Sequence, residues 1–191
     1  FGSVAIPMRN FPVMGRWSPV FRGVKDCASG GACLKSNRSL SKLFDEARSL
    51  PFREKLAKIN VGVNRHIAYR NDRSTYGRMD YWAKPGETMK RGAGDCEDFA
   101  ILKMAGLIRA GVPANSLSIV ILQDTSKRVF HAVLTVSTGS GMFVLDNTRN
   151  YVAMDTDLPS YMPLYSFSVD RAWIHGSRSG GMQVASAATE L

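Results

Sequence analysis

One cysteine of this chain, Cys96, lies in a setting suited to nucleophilic chemistry. It follows the glycine-rich approach 92–94 and falls in the first turn of a helix predicted over residues 95–110. The positive end of a helix dipole and its unpaired N–H groups favour a thiolate, and the same N–H groups can stabilise an oxyanion. The competing interpretation is a small buried hydrophobic residue at a helix start; the position favours the nucleophile.

A nucleophilic thiol needs a base to take its proton. Of the three histidines, His131 lies inside an apolar run predicted to be a strand, whereas His66 and His175 are expected to face solvent. Taken alone, the apolar neighbours of His131 favour a core imidazole over a catalytic one. A carboxylate placed beside the ring would reverse that preference, because it would fix the tautomer of the imidazole.

The turn after the histidine strand offers such a carboxylate. If residues 137–140 form a four-residue loop, Val136 faces Gly141 and His131 faces Asp146. Facing residues project to the same side of a sheet, with Cβ atoms roughly 4.5–5.5 Å apart, and a slip of one residue would separate them. Asp146 can also simply begin an Asp-Asn turn, and Asn147 is an alternative third member. Cys96, His131 and Asp146 therefore have the types required for Cys–His–Asp catalysis.

Three acidic residues surround the cysteine, namely Asp95, Glu97 and Asp98. Negative charges raise the pKa of a neighbouring thiol and so oppose the helix dipole. Asp95 and Asp98 have the spacing of a helix-capping pair, which would use part of this charge. A bound divalent cation would offset the rest, and oxygen ligands favour Ca²⁺ or Mg²⁺ over zinc.

Helices followed by a series of strands must position these side chains. Apolar spacing predicts one helix capped by Ser39, a second beginning at Pro51, a short third over residues 87–91 and the cysteine helix. Alternating apolar residues then predict strands over residues 117–123, 129–137, 142–146, 151–154 and 165–170. Helices followed by hairpin-linked strands predict an α+β fold with an antiparallel sheet. The expected organisation is an irregular segment over residues 1–38, one domain over 39–175 and a flexible tail over 176–191.

Composition narrows the function classes. The 191 residues are 45% hydrophobic and 21% charged, which excludes a wholly disordered chain, and no apolar run reaches the roughly 18 residues needed to cross a bilayer. The formal net charge is +9, but no basic cluster interleaved with aromatic residues supports nucleic-acid binding. Cys27 and Cys33 could close a small disulfide and leave Cys96 as a lone thiol. This cysteine usage, with Phe1 in place of a starting Met, favours an exported and processed protein.

Three runs together resemble one family, the bacterial transglutaminase-like cysteine proteinases, which include LapG-type periplasmic adhesin proteases. These runs are GDCEDFA at residues 94–100, FHAVL at 130–134 and VLDN at 144–147. YWAKP at residues 81–85 and QDT at 123–125 also resemble the family's pattern. The resemblance spans about residues 39–175.

The resemblance implies a papain- or transglutaminase-like α+β core with the catalytic cysteine at a helix N-terminus. It implies that Cys96, His131 and Asp146 form the catalytic triad and that Asp95 and Glu97 bind Ca²⁺. The implied activity is periplasmic endoproteolysis of a large surface adhesin in biofilms, and the implied inhibitor is a membrane c-di-GMP receptor. The alternatives are a transglutaminase or deamidase on the same triad, and a calcium-dependent binding module without catalysis.

Overall fold

The computed structural model describes residues 1–176 and shows helices packed on one face of an antiparallel sheet. The α-helices are α1 (Val13–Ala28), α2 (Arg38–Glu46), α3 (Phe52–His66), α4 (Asp72–Tyr76), α5 (Pro85–Arg91) and α6 (Cys96–Arg109). The strands are β1 (Val4–Met8), β2 (Ala68–Tyr69), β3 (Ala93–Gly94), β4 (Leu117–Asp124), β5 (Val129–Thr138), β6 (Gly141–Leu145), β7 (Ala153–Met154), β8 (Tyr161–Phe167) and β9 (Ala172–Gly176). The predicted α+β class with an antiparallel sheet is confirmed.

Seven strands form the main sheet, in the order β1-β9-β8-β4-β5-β6-β7, with every neighbouring pair antiparallel. The central strand β4 is buried on both faces, since Ile119 and Ile121 join the main core while Val120 and Leu122 join a second, smaller core. Such burial on both faces explains why β4 is a nearly continuous apolar run. The edge strand β1 was not predicted, because all five of its residues are exposed.

The N-terminal segment is not irregular, so the expectation for residues 1–38 was wrong. Helix α1 runs through Pro19 and buries a stripe at Trp17, Val20, Phe21, Val24 and Cys27. An internal proline removes one helical hydrogen bond, but this stripe lies against the core, and the Trp17 indole donates to the carbonyl of Ser168 at 2.5 Å. The segment is rich in proline, glycine and serine, which predict irregular structure, and this composition hid the helical spacing of its apolar residues. A Cys27–Cys33 disulfide closes the end of the helix.

Helix α6 is the central element of the helical layer and agrees with its predicted range. Its residues from Asp98 to Leu107 are buried, and it contacts α1, α3 and β5. Gly106 permits the close approach of Phe44, since a Cβ atom there would lie 2.7 Å from the Phe44 ring. The helix N-terminus, with Cys96 as its first residue, is thereby fixed against the sheet.

The hairpin between β5 and β6 differs from the predicted one. Thr138 pairs with Gly141, so the loop is the two residues 139–140 and not a four-residue loop. The Thr138 hydroxyl donates to the Gly141 carbonyl at 2.9 Å, and Gly141 has φ +127°, which favours glycine. Extended by one residue past Leu145, this register puts Asp146 opposite Val133 and diagonal to His131. The observed register differs from the predicted one by two residues. Because side chains alternate with a period of two, His131 and Asp146 remain on the same side of the sheet and still meet.

The predicted flexible tail lies outside the described residues except for Gly176, which ends β9. His175, expected to face solvent, is instead partly buried and bonded to the hydroxyls of Ser3 and Ser166, both at 2.8 Å. Within residues 1–176, no helix is both long enough and apolar enough to cross a bilayer.

Candidate active site

The imidazole of His131 and the carboxylate of Asp146 form a direct pair. His131 Nε2 lies 2.9 Å from Asp146 Oδ1, and the side chains are only 10% and 1% exposed. This contact occupies one ring nitrogen and fixes the orientation of the imidazole. Nδ1 is the remaining nitrogen for a proton donor or acceptor.

Asp146 is held by three further hydrogen bonds. The backbone N–H of Thr148 donates to Oδ1 at 2.8 Å, while Arg149 and the Tyr161 hydroxyl donate to Oδ2 at 2.7 and 2.6 Å. Burial alone would raise the pKa of Asp146, but the hydrogen bond and charge of His131, with the Tyr161 and Thr148 bonds, lower this pKa overall. Asp146 is therefore an anion whose position is fixed from several sides.

Two asparagines of α3 hold the loop that follows Asp146. Asn60 and Asn64, one helical turn apart, both donate to the backbone carbonyl of Arg149 at 2.8 Å. Asn64 also donates to the carbonyl of Asp146 at 3.0 Å. The sequence interpretation gave α3 only a core role, because its apolar stripe was its evident feature. The i, i+4 spacing of two asparagines was the available signal for this second role.

The thiol of Cys96 lies at the junction of α6 and β5. The backbone N–H of Ala132, the residue after His131, is a hydrogen-bond donor to the sulfur, and the thiol lies 3.1 Å from Glu97 Oε2. Burial first, and then Glu97 and Asp95, raise the pKa of Cys96 well above its ordinary value despite the Ala132 contact. The expected stabilisation of a thiolate by the helix start is thus outweighed by desolvation and acidic neighbours.

A third carboxylate joins the predicted pair Asp95 and Glu97. Ligand oxygens of Asp72, Asp95 and Glu97 all lie within 4.8 Å of one another. Asp72 reaches this position because β2 pairs in parallel with β3, and the N–H of Arg70 donates to the Gly94 carbonyl at 2.8 Å. Sequence reasoning missed Asp72, since nothing in the local pattern relates it to a cysteine 24 positions later.

This cluster has the donor set of a calcium site. Asp72 Oδ1 and Asp95 Oδ1 are buried and have no hydrogen-bond donor. Burial, followed by the charge of Glu97, raises the pKa of Asp95 to about 9, and burial also raises the pKa of Glu97 and of Asp72. Three clustered carboxylates with unsatisfied buried oxygens fit a hard divalent cation such as Ca²⁺.

Asp98 has a different role from the other acidic residues. Asp95 occupies the predicted N-cap position of α6, without a side-chain capping hydrogen bond. Asp98 Oδ1 accepts the backbone N–H of Ala83 at 2.9 Å, and this carboxylate is fully buried. It therefore ties the segment before α5 to the first turn of α6.

A thiol at a helix start, and a histidine paired with a buried carboxylate on the strand against which that helix packs, are the side-chain types that a cysteine peptidase of the papain and transglutaminase type uses. The family model for bacterial transglutaminase-like cysteine proteinases matches residues 13–175. The chain belongs to this family.

Solved structures agree with that assignment. LapG of Legionella pneumophila in its EGTA-treated form is 30% identical with a TM-score of 0.68, over 84% of this chain and 88% of the other. The calcium-bound form of the same protein is 29% identical with a TM-score of 0.66, over 88% of this chain and 96% of the other. Comparison with curated protein sequences finds no match.

Proposed function

We propose that this protein is a calcium-dependent cysteine endopeptidase in which Cys96 is the nucleophile, His131 the general acid and base, and Asp146 the residue that orients His131. The single observation that carries the proposal is the 2.9 Å His131–Asp146 contact, formed beside the strand amide that bonds the Cys96 sulfur. Membership of a cysteine proteinase family supports it.

In the proposed reaction, the thiol proton moves to His131 Nδ1 and the sulfur attacks the carbonyl carbon of a peptide bond. His131 then donates this proton to the departing amine as the C–N bond breaks, which leaves a thioester on Cys96. A water molecule attacks the thioester with His131 as base, and the product acid and free thiol are released. Backbone N–H groups at the start of α6 would stabilise the oxyanion.

Trp82, in the segment before α5, has a packing role. Its indole stacks on Phe167 with ring centroids 4.9 Å apart, and the guanidinium of Arg16 lies 4.8 Å from its ring centroid. We therefore assign the oxyanion contacts to backbone groups of α6.

Asp72, Asp95 and Glu97 would hold the calcium ion, in agreement with their unsatisfied oxygens. When bound, the ion supplies positive charge that offsets these carboxylates beside the thiol. This residue set contains the expected ligands Asp95 and Glu97 and adds Asp72. The calcium-bound structure of the similar LapG protein supports the choice of ion.

For the biological setting, we propose a periplasmic enzyme that cleaves a biofilm surface adhesin and is inhibited by a membrane c-di-GMP receptor. The support is the family resemblance of the cysteine, histidine and aspartate motifs together with the similarity to LapG. The Cys27–Cys33 disulfide is consistent with an oxidising compartment.

The test is digestion of a candidate adhesin fragment by the wild type, by Cys96→Ala and by enzyme treated with EGTA. We expect cleavage only by the untreated wild type. Mass spectrometry separates chain cleavage from side-chain deamidation and from crosslinking, which are the products of the alternative acyl transfers. Cleavage by Cys96→Ala would reject the nucleophile, and full activity after chelation would reject the calcium requirement.

A further inference from the structure

Strand β2 has an outer main-chain edge that the proposed reaction does not use. Among the described residues, β2 pairs only with β3, in parallel. The N–H of Ala68 donates to the Gly92 carbonyl at 2.9 Å, and the N–H of Arg70 donates to the Gly94 carbonyl at 2.8 Å. Successive residues of a strand direct their main-chain groups to alternate sides. Tyr69, between these two donors, therefore directs its own N–H and C=O away from β3.

This outer edge of β2 is open to solvent. Ala68, Tyr69 and Arg70 are all exposed, and Tyr69 is 62% exposed although its side chain is large and aromatic. An exposed strand edge is a template for the addition of another strand. A two-residue strand such as β2 is too short to pair with a long partner strand, but it can pair with one residue of an extended peptide.

The pairing register puts this edge next to the nucleophile. Tyr69 lies opposite Gly94, and Cys96 follows two residues later as the first residue of α6. Neighbouring strands lie about 4.8 Å apart and rise about 3.3 Å per residue, so a peptide residue paired with Tyr69 is about two or three positions from the carbonyl that the sulfur attacks. Burial, followed by the charge of Cys96, raises the pKa of Tyr69, in agreement with this proximity.

Strand β1 offers a longer exposed edge, since all five of its residues are exposed. Strands β9, β8 and β4 separate it from β5, which carries His131. A peptide added to β1 would therefore lie several strand widths from the reacting groups. Of these two exposed edges, β2 is the one that can position a peptide for attack by Cys96.

We propose that the outer edge of β2 is a substrate-binding subsite, in which the N–H and C=O of Tyr69 pair with the main chain of an extended peptide two or three residues from the bond that is cut. The inference rests on the proposed function of Cys96, His131 and Asp146. Main-chain pairing recognises an extended segment and tolerates many side chains at the paired position. Proline is excluded there, because it has no N–H to donate.

The first test compares Tyr69→Pro with Tyr69→Ala, using a synthetic peptide that spans the bond cut in the adhesin digest. Proline fits an edge position whose N–H is not used by the sheet, but it removes the donor and blocks the approach of a strand. Alanine removes the same ring and keeps the N–H. We expect kcat/KM of Tyr69→Pro to be about tenfold below that of Tyr69→Ala, with equal rates of Cys96 alkylation by iodoacetamide. Equal kcat/KM values overturn the proposal, and so does an equal fall in the alkylation rate, which would assign the loss to the thiol.

The second test keeps Tyr69 in place and does not depend on the folding of a proline variant. Amide hydrogen exchange is measured by NMR in calcium-loaded Cys96→Ala protein, with and without a saturating amount of the same peptide. We expect the Tyr69 amide to exchange about tenfold more slowly with peptide bound. The Ala68 amide, already bonded to Gly92, is the matched control and should change much less.

The two readouts separate this inference from the peptidase proposal. Peptide binding that leaves the Tyr69 exchange rate unchanged overturns the β2 subsite, while cleavage by the wild type still supports Cys96 as nucleophile. Absence of cleavage in the adhesin digest counts against the peptidase itself and removes the basis of the subsite with it.

Discussion

Asn64 donates its side-chain amide to the backbone carbonyl of Asp146 at 3.0 Å, across a sequence separation of 82 residues. The same amide group bonds the carbonyl of Arg149, so one side chain of α3 fixes both ends of the turn that presents the acid. Asp146 of the proposed triad is thus positioned both by α3, which is distant in sequence, and by the strand that precedes it.

Replacing Asn64 by alanine removes two hydrogen bonds from this turn. We expect Asn64→Ala to lower the free energy of unfolding by about 1–2 kcal/mol, because the carbonyl groups of Asp146 and Arg149 each lose one donor, while Asn60 still bonds the Arg149 carbonyl. We also expect kcat to fall while KM changes little, because Asp146 shifts relative to His131 while the substrate-binding surface is unchanged. Urea unfolding and steady-state kinetics measure the two effects. The matched control is Arg65→Ala at the adjacent exposed position, expected to stay within about 0.5 kcal/mol of the wild type.

Local patterns in the sequence predicted much of this arrangement. The apolar spacing of α6 and the alternation in β4 and β5 were strong enough to predict these elements almost to the residue. They also placed a cysteine at a helix start and a histidine in the middle of a sheet. Predictions of this kind depend on neighbours a few residues apart, which is the range over which helices and strands form.

The features that were missed depend on distant contacts or on competing local signals. Asp72 meets Asp95 only because of a two-residue parallel pairing, and Asn64 meets Asp146 only after the sheet has formed. Helix α1 was missed because Pro19 opposes the helical interpretation locally, while burial of Trp17 supports it only in the folded core. The hairpin register was wrong by two residues because hydrogen bonding by Thr138 selects the tighter turn.

Asp72 provides a direct test of the calcium cluster. We expect Asp72→Asn to weaken calcium binding by about tenfold or more, because it removes one of three converging anionic ligands. Isothermal titration with Ca²⁺ measures the affinity, and the rise of the melting temperature with added calcium reports the same equilibrium.

The matched control for Asp72→Asn is Asp80→Asn. Asp80 affects Asp72 through its charge but is not among the three clustered carboxylates, so this substitution should have a much smaller effect on affinity. Equal losses in the two variants would show that general negative charge, and not ligation by Asp72, governs binding.

Calcium removal should make Cys96 less reactive. Burial, Glu97 and Asp95 all raise the pKa of the thiol, and a cation held by these carboxylates would oppose the last two effects. We expect EGTA to slow alkylation of Cys96 by iodoacetamide at pH 7 by about tenfold, because the thiolate is the reactive form. Peptide mapping after timed alkylation measures the rate. Equal rates with and without the ion would contradict the electrostatic role assigned to it.

Asp146 should stabilise the fold in a pH-dependent way. Its pKa in the folded protein lies below the ordinary value, so its contribution is present above about pH 4 and is lost as the pH falls through the folded-state pKa. Asp146→Asn should therefore be less stable than the wild type at pH 7, and this difference should narrow below pH 4. Unfolding curves between about pH 2 and 7 measure it. The exposed Asp170→Asn should show no such narrowing.

Lys103 should destabilise the fold near neutral pH, because burial disfavours its charged form. Its pKa falls from 10.5 to about 7 on folding, so the unfolded chain binds more protons between these values and stability rises with pH across this window. Lys103→Met removes that slope, and we expect it to be more stable than the wild type at pH 7 by on the order of 3 kcal/mol. This difference in the free energy of unfolding should shrink towards pH 10. The pH dependence of Met104→Leu should match that of the wild type over the whole range. If the stability difference between Lys103→Met and the wild type stays constant with pH, the buried amine carries no charge penalty; if the difference shrinks towards pH 10, burial of the charged amine costs stability at neutral pH.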